Sequence, residues 1–217
     1  SATREAILAA AERLFAEHGV NAVSLRYISE TAGQGNNTAV SYHFGSKTEL
    51  IRAIVRKHGE PTELARQRMV DAIGTGAAAG SADTARPAPS VRDWVTCLVR
   101  PVTDHLSALG SPTWFARFSA QLMTEPELRE IVSSEVAVSP SLQRILDGLD
   151  TCAPSLPAPV HVERSAMCRH LIVHTCAEHE RALAEGAPTP RSSWDDTATG
   201  LIDAITGLWL APVTPFP

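Results

Sequence analysis

The sequence is poor in aromatic residues and in lysine, and it has no long apolar run. Only 5% of the 217 residues are aromatic, and Lys47 and Lys57 are the only two lysines. No apolar stretch approaches the roughly 18–20 residues that a membrane-spanning helix needs, so no such helix is predicted. The N-terminal residues are polar and then amphipathic, which predicts no signal peptide and a cytoplasmic protein.

The four cysteines show neither a CxxC pair nor the spacing of a disulfide framework. They stand at Cys97, Cys152, Cys168 and Cys176. This pattern is typical of buried, reduced thiols in a cytoplasmic protein. The chain also lacks the HExxH, GxSxG, P-loop and GxGxxG motifs. We therefore predict no catalytic residue, no cofactor and no enzymatic activity.

Helix-favouring residues dominate the rest of the composition. Ala, Leu, Arg and Glu are abundant, and all four have high helix propensity. No segment shows the alternation of apolar and polar residues that is typical of strands. We predict an all-α fold of about nine helices. It consists of a tri-helical helix-turn-helix head at residues 1–58 and a C-terminal helical bundle at residues 59–217.

The charge is distributed unevenly between these two parts. The net charge of the whole chain is −5, which argues against general affinity for nucleic acid. Residues 1–58 hold seven Lys and Arg against five Asp and Glu, whereas residues 59–217 hold twelve against nineteen. A mildly basic head on an acidic body is compatible with local contact to DNA.

Glycines and serines divide the first 60 residues into four predicted helices. The predicted segments are residues 3–18, 24–32 and 36–44 and a fourth helix that begins at residue 47. Ser24 is a favourable N-cap, and Gly33 ends the second segment. Ser46 and Glu49 have the S-x-x-E spacing of a capping box, which marks the start of the fourth helix.

The third of these segments carries a run of polar, mostly uncharged side chains that suit a DNA groove. They are Asn36, Asn37, Thr38, Ser41, Tyr42 and His43. Base edges in the major groove present donors and acceptors at fixed positions, and such side chains match them. For Asn36 or Asn37 an N-cap role is the alternative. No arginine lies in this segment, so strong guanine readout from it is not predicted.

The C-terminal part is predicted to contain further helices separated by proline and glycine. Gly59 and Pro61 interrupt the fourth helix, because proline disfavours helical geometry at the preceding residue; this interruption is predicted to be a hinge. Residues 74–90 lack periodicity and are predicted to be a flexible loop. The later helical segments are residues 91–109 with a break or bend at Pro101, 112–123, 125–149 with a bend at Pro140, 158–185 and 192–210.

Apolar and aromatic residues in the bundle are candidates for a small-molecule pocket. The predicted ligand-binding residues are Trp94, Cys97, Leu98, His105, Trp114, Phe118, Gln121, Leu122 and Leu146. His105 and Gln121 are the polar anchors of this set, because burying either side chain without a partner costs free energy. The alternative is an ordinary packed core, since aromatics at helical spacing most often pack against each other.

A histidine-rich stripe near the C-terminus leaves a second class of function open. His170, His174 and Glu178 recur every four residues, and two histidines at this spacing can hold zinc. The alternative hypothesis is therefore a metal-binding or hydrolytic helical bundle. A surface or interface cluster of histidines is the structural alternative, and it predicts no metal site.

Three sequence blocks near the N-terminus occur in a specific order and spacing. They are Phe15-Ala-Glu-His-Gly19, Ser24-Leu-Arg-Tyr-Ile-Ser-Glu-Thr-Ala-Gly33 and Tyr42-His-Phe-Gly-Ser-Lys-Thr-Glu-Leu50. In this arrangement residues 1–58 resemble the TetR family of bacterial transcriptional regulators. The resemblance implies a homodimer, a double-stranded DNA operator that is palindromic, and a pocket for a small-molecule effector in each bundle. The last two helices resemble the dimerisation pair of the family.

The resemblance also implies roles for individual residues in DNA binding. The implied DNA-binding residues are Arg26, Tyr27, Asn36, Asn37, Thr38, Ser41, Tyr42, His43 and Lys47. Lys47 falls where the start of the fourth helix meets the phosphate backbone. Common family members have one residue fewer between Gly33 and Phe44. Placing the extra residue in the Gln34-Gly35 turn leaves the register of the base contacts open.

Together these observations predict a ligand-responsive, dimeric, DNA-binding transcriptional regulator. The resemblance to the family implies a repressor that leaves its operator when a small apolar molecule binds the bundle. Such release requires that the molecule bind the two states of the protein with different affinities. A constitutive DNA binder without ligand control is the remaining alternative. The sequence identifies neither the effector nor the operator.

Overall fold

The computed structural model describes residues 1–35, 38–78, 88–136, 139–152 and 156–214. Within these ranges the chain forms ten α-helices and no strand, which confirms the predicted all-α class. The helices are α1 (Ala2–His18), α2 (Leu25–Thr31), α3 (Ala39–Phe44), α4 (Lys47–Ala78), α5 (Val91–Ala108), α6 (Phe115–Thr124), α7 (Pro126–Val136), α8 (Pro140–Cys152), α9 (Ala158–Glu185) and α10 (Trp194–Leu210). None of these helices is long and apolar enough to span a membrane.

The helices pack into two compact units. Unit 1 comprises Ser1–Glu60, Leu109–Val138 and Cys176–Thr189; unit 2 comprises Pro61–Ala108, Ser139–Thr175 and Pro190–Pro217. Unit 1 therefore combines α1, α2, α3 and the first part of α4 with α6, α7 and the end of α9. The predicted division at residue 58, between a DNA-binding head and a ligand-binding bundle, stays a prediction.

The core of unit 1 forms where α1 meets α2, α4 and α6. Its fully buried side chains include Ile7, Leu14, Phe15, Ile28, Val40, Leu50, Ile54, Phe118 and Leu122. Phe15 of α1 stacks on Phe118 of α6 with ring centroids 5.9 Å apart. Aromatic pairs at this separation add stabilisation beyond the area that they bury. The stack joins α6 to the N-terminal helices.

The core of unit 2 forms around α5, which packs against α8 and α10. Its buried side chains include Val95, Val99, Leu106, Ile145, Leu149, Leu201, Ile202, Ile205 and Trp209. The buried Arg164 of α9 donates hydrogen bonds of 2.7 Å each to the carbonyl oxygens of Trp209 and Ala211. A guanidinium thus satisfies the last carbonyls of α10, which have no partner within their own helix.

Several predicted boundaries are wrong, and packing or position explains each. Helix α4 is not interrupted at Gly59–Pro61, because burial of the flanking residues His58 and Thr62 offsets the unfavourable effect of proline inside a helix. Of the loop predicted over residues 74–90, residues 74–78 are helical instead. Residues 79–87 lie outside the described part of the chain. Helix α5 is not broken at Pro101.

The segment predicted as one helix over residues 125–149 is two helices. Pro126 begins α7 and Pro140 begins α8, and both prolines stand at the first helical position, where the missing amide costs nothing. Glu63 explains why the second start is stable. Its carboxylate accepts hydrogen bonds of 2.7 Å from the hydroxyls of Ser139 and Ser141, beside the first turn of α8.

Trp94 of α5 packs closely against Gly148 of α8. A Cβ atom added to Gly148 would overlap the indole of Trp94, nearer than real Cβ atoms come to other atoms. Helix α5 therefore approaches α8 at a position where no side chain fits. The helix tolerates glycine there, although glycine costs about 1 kcal/mol relative to alanine in a helix interior.

We expect Gly148→Ala to lower the free energy of unfolding by about 1–3 kcal/mol, because the new methyl group overpacks against Trp94. Urea denaturation measures the change. Gly207→Ala is the matched control, since Gly207 lies in α10 with no neighbouring atom within 4 Å of its Cβ position. The control should gain up to about 1 kcal/mol from helix propensity. Equal behaviour of the two variants would refute this packing.

Candidate DNA interface and effector region

Helices α2 and α3 form a helix-turn-helix whose inner face is buried. Ile28 of α2 and Val40 of α3 are fully buried, and Phe44 is nearly so. Ser24 caps α2, since its hydroxyl accepts a hydrogen bond of 3.1 Å from the amide of Tyr27. Gly33 has a φ angle of 69°, which only glycine adopts readily, and it turns the chain after α2.

Helix α3 begins later in the chain than the sequence pattern predicted. Thr38 occupies the N-cap position and α3 begins at Ala39, whereas the prediction began the helix at residue 36. After α2, the backbone amide of Gln34 donates a hydrogen bond of 3.0 Å to the carbonyl of Ser29 and closes the end of that helix. Asn36 and Asn37 lie outside the described residues, so their predicted roles stay predictions.

The outer face of α3 is exposed and polar. Tyr42 is 85% exposed, and Thr38 and Ser41 are also exposed. The ring of His43, which is half-buried, meets the ring of Tyr42 edge-on at 5.1 Å. A tyrosine with this exposure gains little from packing within its own chain. The predicted base-contacting residues within the described part of α3 therefore share one solvent-facing surface.

Lys47 stands in the first turn of α4, next to this surface. The hydroxyl of Ser46 caps the helix by accepting a hydrogen bond of 3.2 Å from the amide of Glu49. The Lys47 ammonium lies 5.7 Å from the centroid of the Phe15 ring, and partial burial lowers the pKa of this ammonium. Amide groups at a helix start and a nearby cation together suit a phosphate group.

The two predicted phosphate contacts on α2 differ in their surroundings. The Arg26 guanidinium donates a hydrogen bond of 2.8 Å to the carboxylate of Glu30, and this bond raises the pKa of Arg26. To contact a phosphate, the Arg26 guanidinium must either bind the phosphate and Glu30 together or break its hydrogen bond to Glu30. Tyr27 is exposed, with its ring 6.3 Å from that of His18.

Arg4 is a surface cation that sequence reasoning missed. Its guanidinium lies 4.8 Å from the centroid of the Phe44 ring, at the end of α3. It lines a groove of about 460 Å³ in unit 1 together with His43 and Lys57. No local sequence signal could have placed Arg4 there, because the contact spans forty residues of sequence. Arg4 adds a positive charge beside the end of α3.

A buried polar contact joins α1, α4 and α6. The imidazole Nε2 of His58 lies 2.8 Å from a carboxylate oxygen of Glu12, and both side chains are buried. The ring of Phe115, the first residue of α6, stacks on the His58 ring with centroids 3.8 Å apart. We call these three residues the Glu12–His58–Phe115 contact. It ties the start of α6 to two helices of the predicted head.

Further polar contacts hold α6 and α7 within unit 1. The buried carboxylate of Glu180 accepts hydrogen bonds from the Thr113 hydroxyl at 2.5 Å, the Ala116 amide at 3.1 Å and the Arg117 amide at 2.9 Å. A side chain of α9 thus caps α6. Arg56 of α4 makes a bidentate ion pair with Glu135 of α7, with distances of 2.8 and 2.9 Å.

The predicted ligand-binding residues divide between the two units. Trp114, Phe118, Gln121 and Leu122 belong to unit 1, and Trp94, Cys97, Leu98, His105 and Leu146 belong to unit 2. Phe118 and Leu122 are core residues of unit 1. In unit 2 burial, with a smaller contribution from Asp93, raises the pKa of the Cys97 thiol to about 11, which suits an inert apolar lining. One pocket lined by all nine residues stays a prediction.

An apolar groove of about 430 Å³ lies on α9 and α10 in unit 2. Its lining residues are Met167, His170, Leu171, His174, Thr175 and Leu208. Met167 and Leu171 are 41% and 38% exposed, and both face this groove. We call this surface the α9–α10 groove.

A metal site within a single chain has no geometric support. The rings of His170 and His174 have centroids 6.3 Å apart, and Glu178 forms an ion pair of 3.8 Å with Arg181. Across the described ranges no three His, Cys, Asp or Glu side chains come together as a metal site. The hydrolytic hypothesis therefore lacks its third ligand.

Comparison with known proteins identifies relatives of both parts of the chain. The family model described as "Bacterial regulatory proteins, tetR family" matches residues 7–54. The model described as "Tetracyclin repressor-like, C-terminal domain" matches residues 96–207, which is more than half of the chain.

Two curated relatives and one solved structure illustrate these matches. The HTH-type transcriptional repressors AcnR of Corynebacterium efficiens and Corynebacterium glutamicum are each 38% identical over 55 residues, which cover 25% of this chain and 29% of each relative. The match thus spans less than a third of their length. A TetR-like transcriptional regulator from Rhodococcus sp. RHA1 is 16% identical with a TM-score of 0.51, over 95% of this chain and 93% of that one. This last likeness shows the fold. With its helix-turn-helix and both family matches, the chain belongs to the TetR family of bacterial transcriptional regulators.

Proposed function

We propose that the protein is a dimeric transcriptional repressor that leaves a palindromic operator when a small apolar molecule binds. The exposed polar face of α3 carries this proposal, because Tyr42 stands 85% exposed beside the start of α4. Membership of the TetR family supports the class of function. The repressor role is supported by the names of the two AcnR relatives, although they match over only 55 residues.

In this proposal α3 enters the major groove of the operator. Thr38, Ser41 and Tyr42 contact base edges or phosphates. The family resemblance adds Asn36 and Asn37 to the proposed contacts. The phosphate contacts come from Lys47, Arg26, Tyr27 and His43, and we add Arg4 because of its place beside Phe44. Because α3 contains no arginine, direct guanine readout is modest and affinity depends on two heads binding together.

The α9–α10 groove supports the proposed homodimer. Met167 and Leu171 expose apolar surface on the helix pair that the family resemblance assigned to dimerisation. A two-fold axis through such a surface gives a self-complementary interface. The same two-fold axis matches a palindromic operator, with recognition helices about 34–36 Å apart if they enter successive major grooves.

The Glu12–His58–Phe115 contact gives the effector signal a route to the head. An effector that shifts α6 displaces Phe115, and Phe115 stacks on His58, which is bonded to Glu12 of α1. Release follows if the effector binds more tightly to the state in which α6 has shifted. A constitutive DNA binder would possess the same contact but would lack the differential affinity for a small molecule.

We expect Tyr42→Ala and Lys47→Ala to weaken operator binding in different ways. Tyr42→Ala removes a base or phosphate contact and should cost about 1–3 kcal/mol per half-site. Lys47→Ala removes one phosphate contact per head, so the slope of log affinity against log salt should fall by about 2 per dimer. Fluorescence anisotropy on the operator duplex, over a series of salt concentrations, measures both effects.

Lys57→Ala is the matched control, because Lys57 is the only other lysine and lies ten residues further along α4. It should lower the affinity and the salt slope less than Lys47→Ala does. Full operator affinity in both Tyr42→Ala and Lys47→Ala would refute the proposed recognition surface.

We expect Leu171→Glu to convert the dimer to a monomer and to abolish tight operator binding. The substitution places two carboxylates in an apolar interface, where desolvation and repulsion oppose assembly. Leu183→Glu is the control, since Leu183 has the same 38% exposure on the same helix but lies outside the groove. Light scattering coupled to gel filtration measures the mass. A dimer that persists in Leu171→Glu would show that the interface lies elsewhere.

A further inference from the structure

Arg66 is a buried cation of α4 whose hydrogen bonds are incomplete. The residue is only 8% exposed, and an arginine keeps its positive charge at neutral pH. Its Nη1 atom donates a hydrogen bond of 2.9 Å to a carboxylate oxygen of Glu63, one turn earlier in the same helix. Its Nε atom is buried and has no hydrogen-bond partner. A buried donor without a partner costs free energy, so its presence needs a physical reason.

Glu63 compensates this charge only in part, because three other donors share its carboxylate. The hydroxyls of Ser139 and Ser141 each donate a hydrogen bond of 2.7 Å to the oxygen that Arg66 contacts. The amide of Ser141 donates to the other oxygen at 3.3 Å. Within the described part of the chain, Glu63 is the one carboxylate that forms an ion pair with Arg66. Burial therefore lowers the pKa of the guanidinium, although Glu63 opposes this effect.

Arg164 shows how the same chain completes the bonding of another buried guanidinium. Arg164 is 6% exposed, close to the value for Arg66. It donates hydrogen bonds of 2.7 Å to two carbonyl oxygens at the end of α10, which gives it a structural role. Arg66 instead has a single acceptor among the described residues, and that acceptor is shared. Its unused donor is therefore available to a group from outside the chain.

The surroundings of Arg66 suit an organic acid with an apolar body. The neighbouring Cys97 thiol of α5 stays neutral, because burial raises its pKa to about 11 against a small opposing effect of Arg66. Val70, one turn further along α4, is fully buried. The Glu63 side chain is 30% exposed, so solvent reaches the ion pair from that side. All four residues belong to unit 2, and Cys97 is one of its predicted ligand-binding residues.

We propose that Arg66 binds a carboxylate of the effector, which is therefore a small organic acid with an apolar body. Nε and Nη2 form the edge of the guanidinium that lies away from the bond between Nη1 and Glu63. A carboxylate accepts two parallel hydrogen bonds from such an edge, and these bonds are strengthened by charge. The acid supplies the partner that Nε lacks. This inference rests on the proposed effector response and names the class of molecule that produces it.

The test compares organic acids with their amides, which have nearly the same shape but no charge. The full chain is titrated with benzoate and benzamide, and with octanoate and octanamide, in isothermal titration calorimetry. We expect at least one acid to bind, and its amide to bind about 10- to 100-fold more weakly. The acid should also raise the melting temperature of the protein by mass action. In fluorescence anisotropy it should release an operator duplex.

Three variants test whether Arg66 recognises the acid. Arg66→Met removes the charge and should weaken binding of the acid to the level of its amide. Arg66→Lys keeps the charge without the two-donor edge and should recover part of the affinity. Arg68→Met is the matched control, since Arg68 is an exposed arginine of the same helix, and it should bind the acid like the unsubstituted chain. Circular dichroism verifies that each variant is folded.

Thermal unfolding without ligand separates a binding role from a structural one. Arg66→Met leaves Glu63 with its three other donors, so this variant should melt at or above the temperature of the unsubstituted chain. Arg164→Met should melt at a lower temperature, because two carbonyl oxygens lose their donor. If Arg66→Met melted as low as Arg164→Met and still bound the acid, Arg66 would be a structural residue and the carboxylate site would be overturned.

The remaining outcomes separate the carboxylate site from the effector response. Acids and amides that bind alike would overturn the site and leave a neutral effector standing. Failure of both acids to bind would overturn the site as well. An acid that binds the unsubstituted chain but not Arg66→Met, and leaves the operator bound at saturation, would confirm the site and contradict the proposed release.

Discussion

The Glu12–His58–Phe115 contact is the constraint on which the DNA-binding half of the structure depends. A buried carboxylate and a buried imidazole lie 2.8 Å apart, and a buried polar group that loses a hydrogen bond costs about 1–3 kcal/mol. Phe115 covers the pair. Helices α1, α4 and α6 can therefore separate only by breaking a contact that water cannot readily replace.

The position of the proposed recognition surface, on α3 and the start of α4, depends on this contact. Helix α3 is only six residues long, too short to be stable alone, and it is held by Val40 and Phe44 against the helices around it. The start of α4 presents Lys47, and the same helix carries His58 three turns later. Glu180 fixes the start of α6, where Phe115 lies. Helix α6 is thus in contact, through Phe115 and His58, with the helix that carries Lys47, the proposed phosphate contact.

Local signals in the sequence predicted the helix ends, but they could not predict contacts between residues that are distant in sequence. Ser24, Gly33 and Ser46 mark helix ends because capping and left-handed turns depend on a few adjacent residues. The continuity of α4 through Pro61 depends on distant parts of the chain, so the sequence predicted an interruption instead. The fit of Trp94 against Gly148 joins two distant helices, and no local signal predicted it. The grouping of α6 and α7 with α1 likewise depends on Phe118, His58 and Glu135, whose partners lie far away in sequence.

Amide hydrogen exchange of the full chain and of its Phe115→Leu variant tests most directly whether α6 is coupled to the head. Leucine keeps an apolar side chain but removes the ring that stacks on His58. We predict faster exchange in α6 and also around Glu12 in α1 and His58 in α4, with α10 unchanged as the internal reference. Faster exchange confined to α6, with α1 and α4 as slow as in the unsubstituted chain, would contradict the coupling.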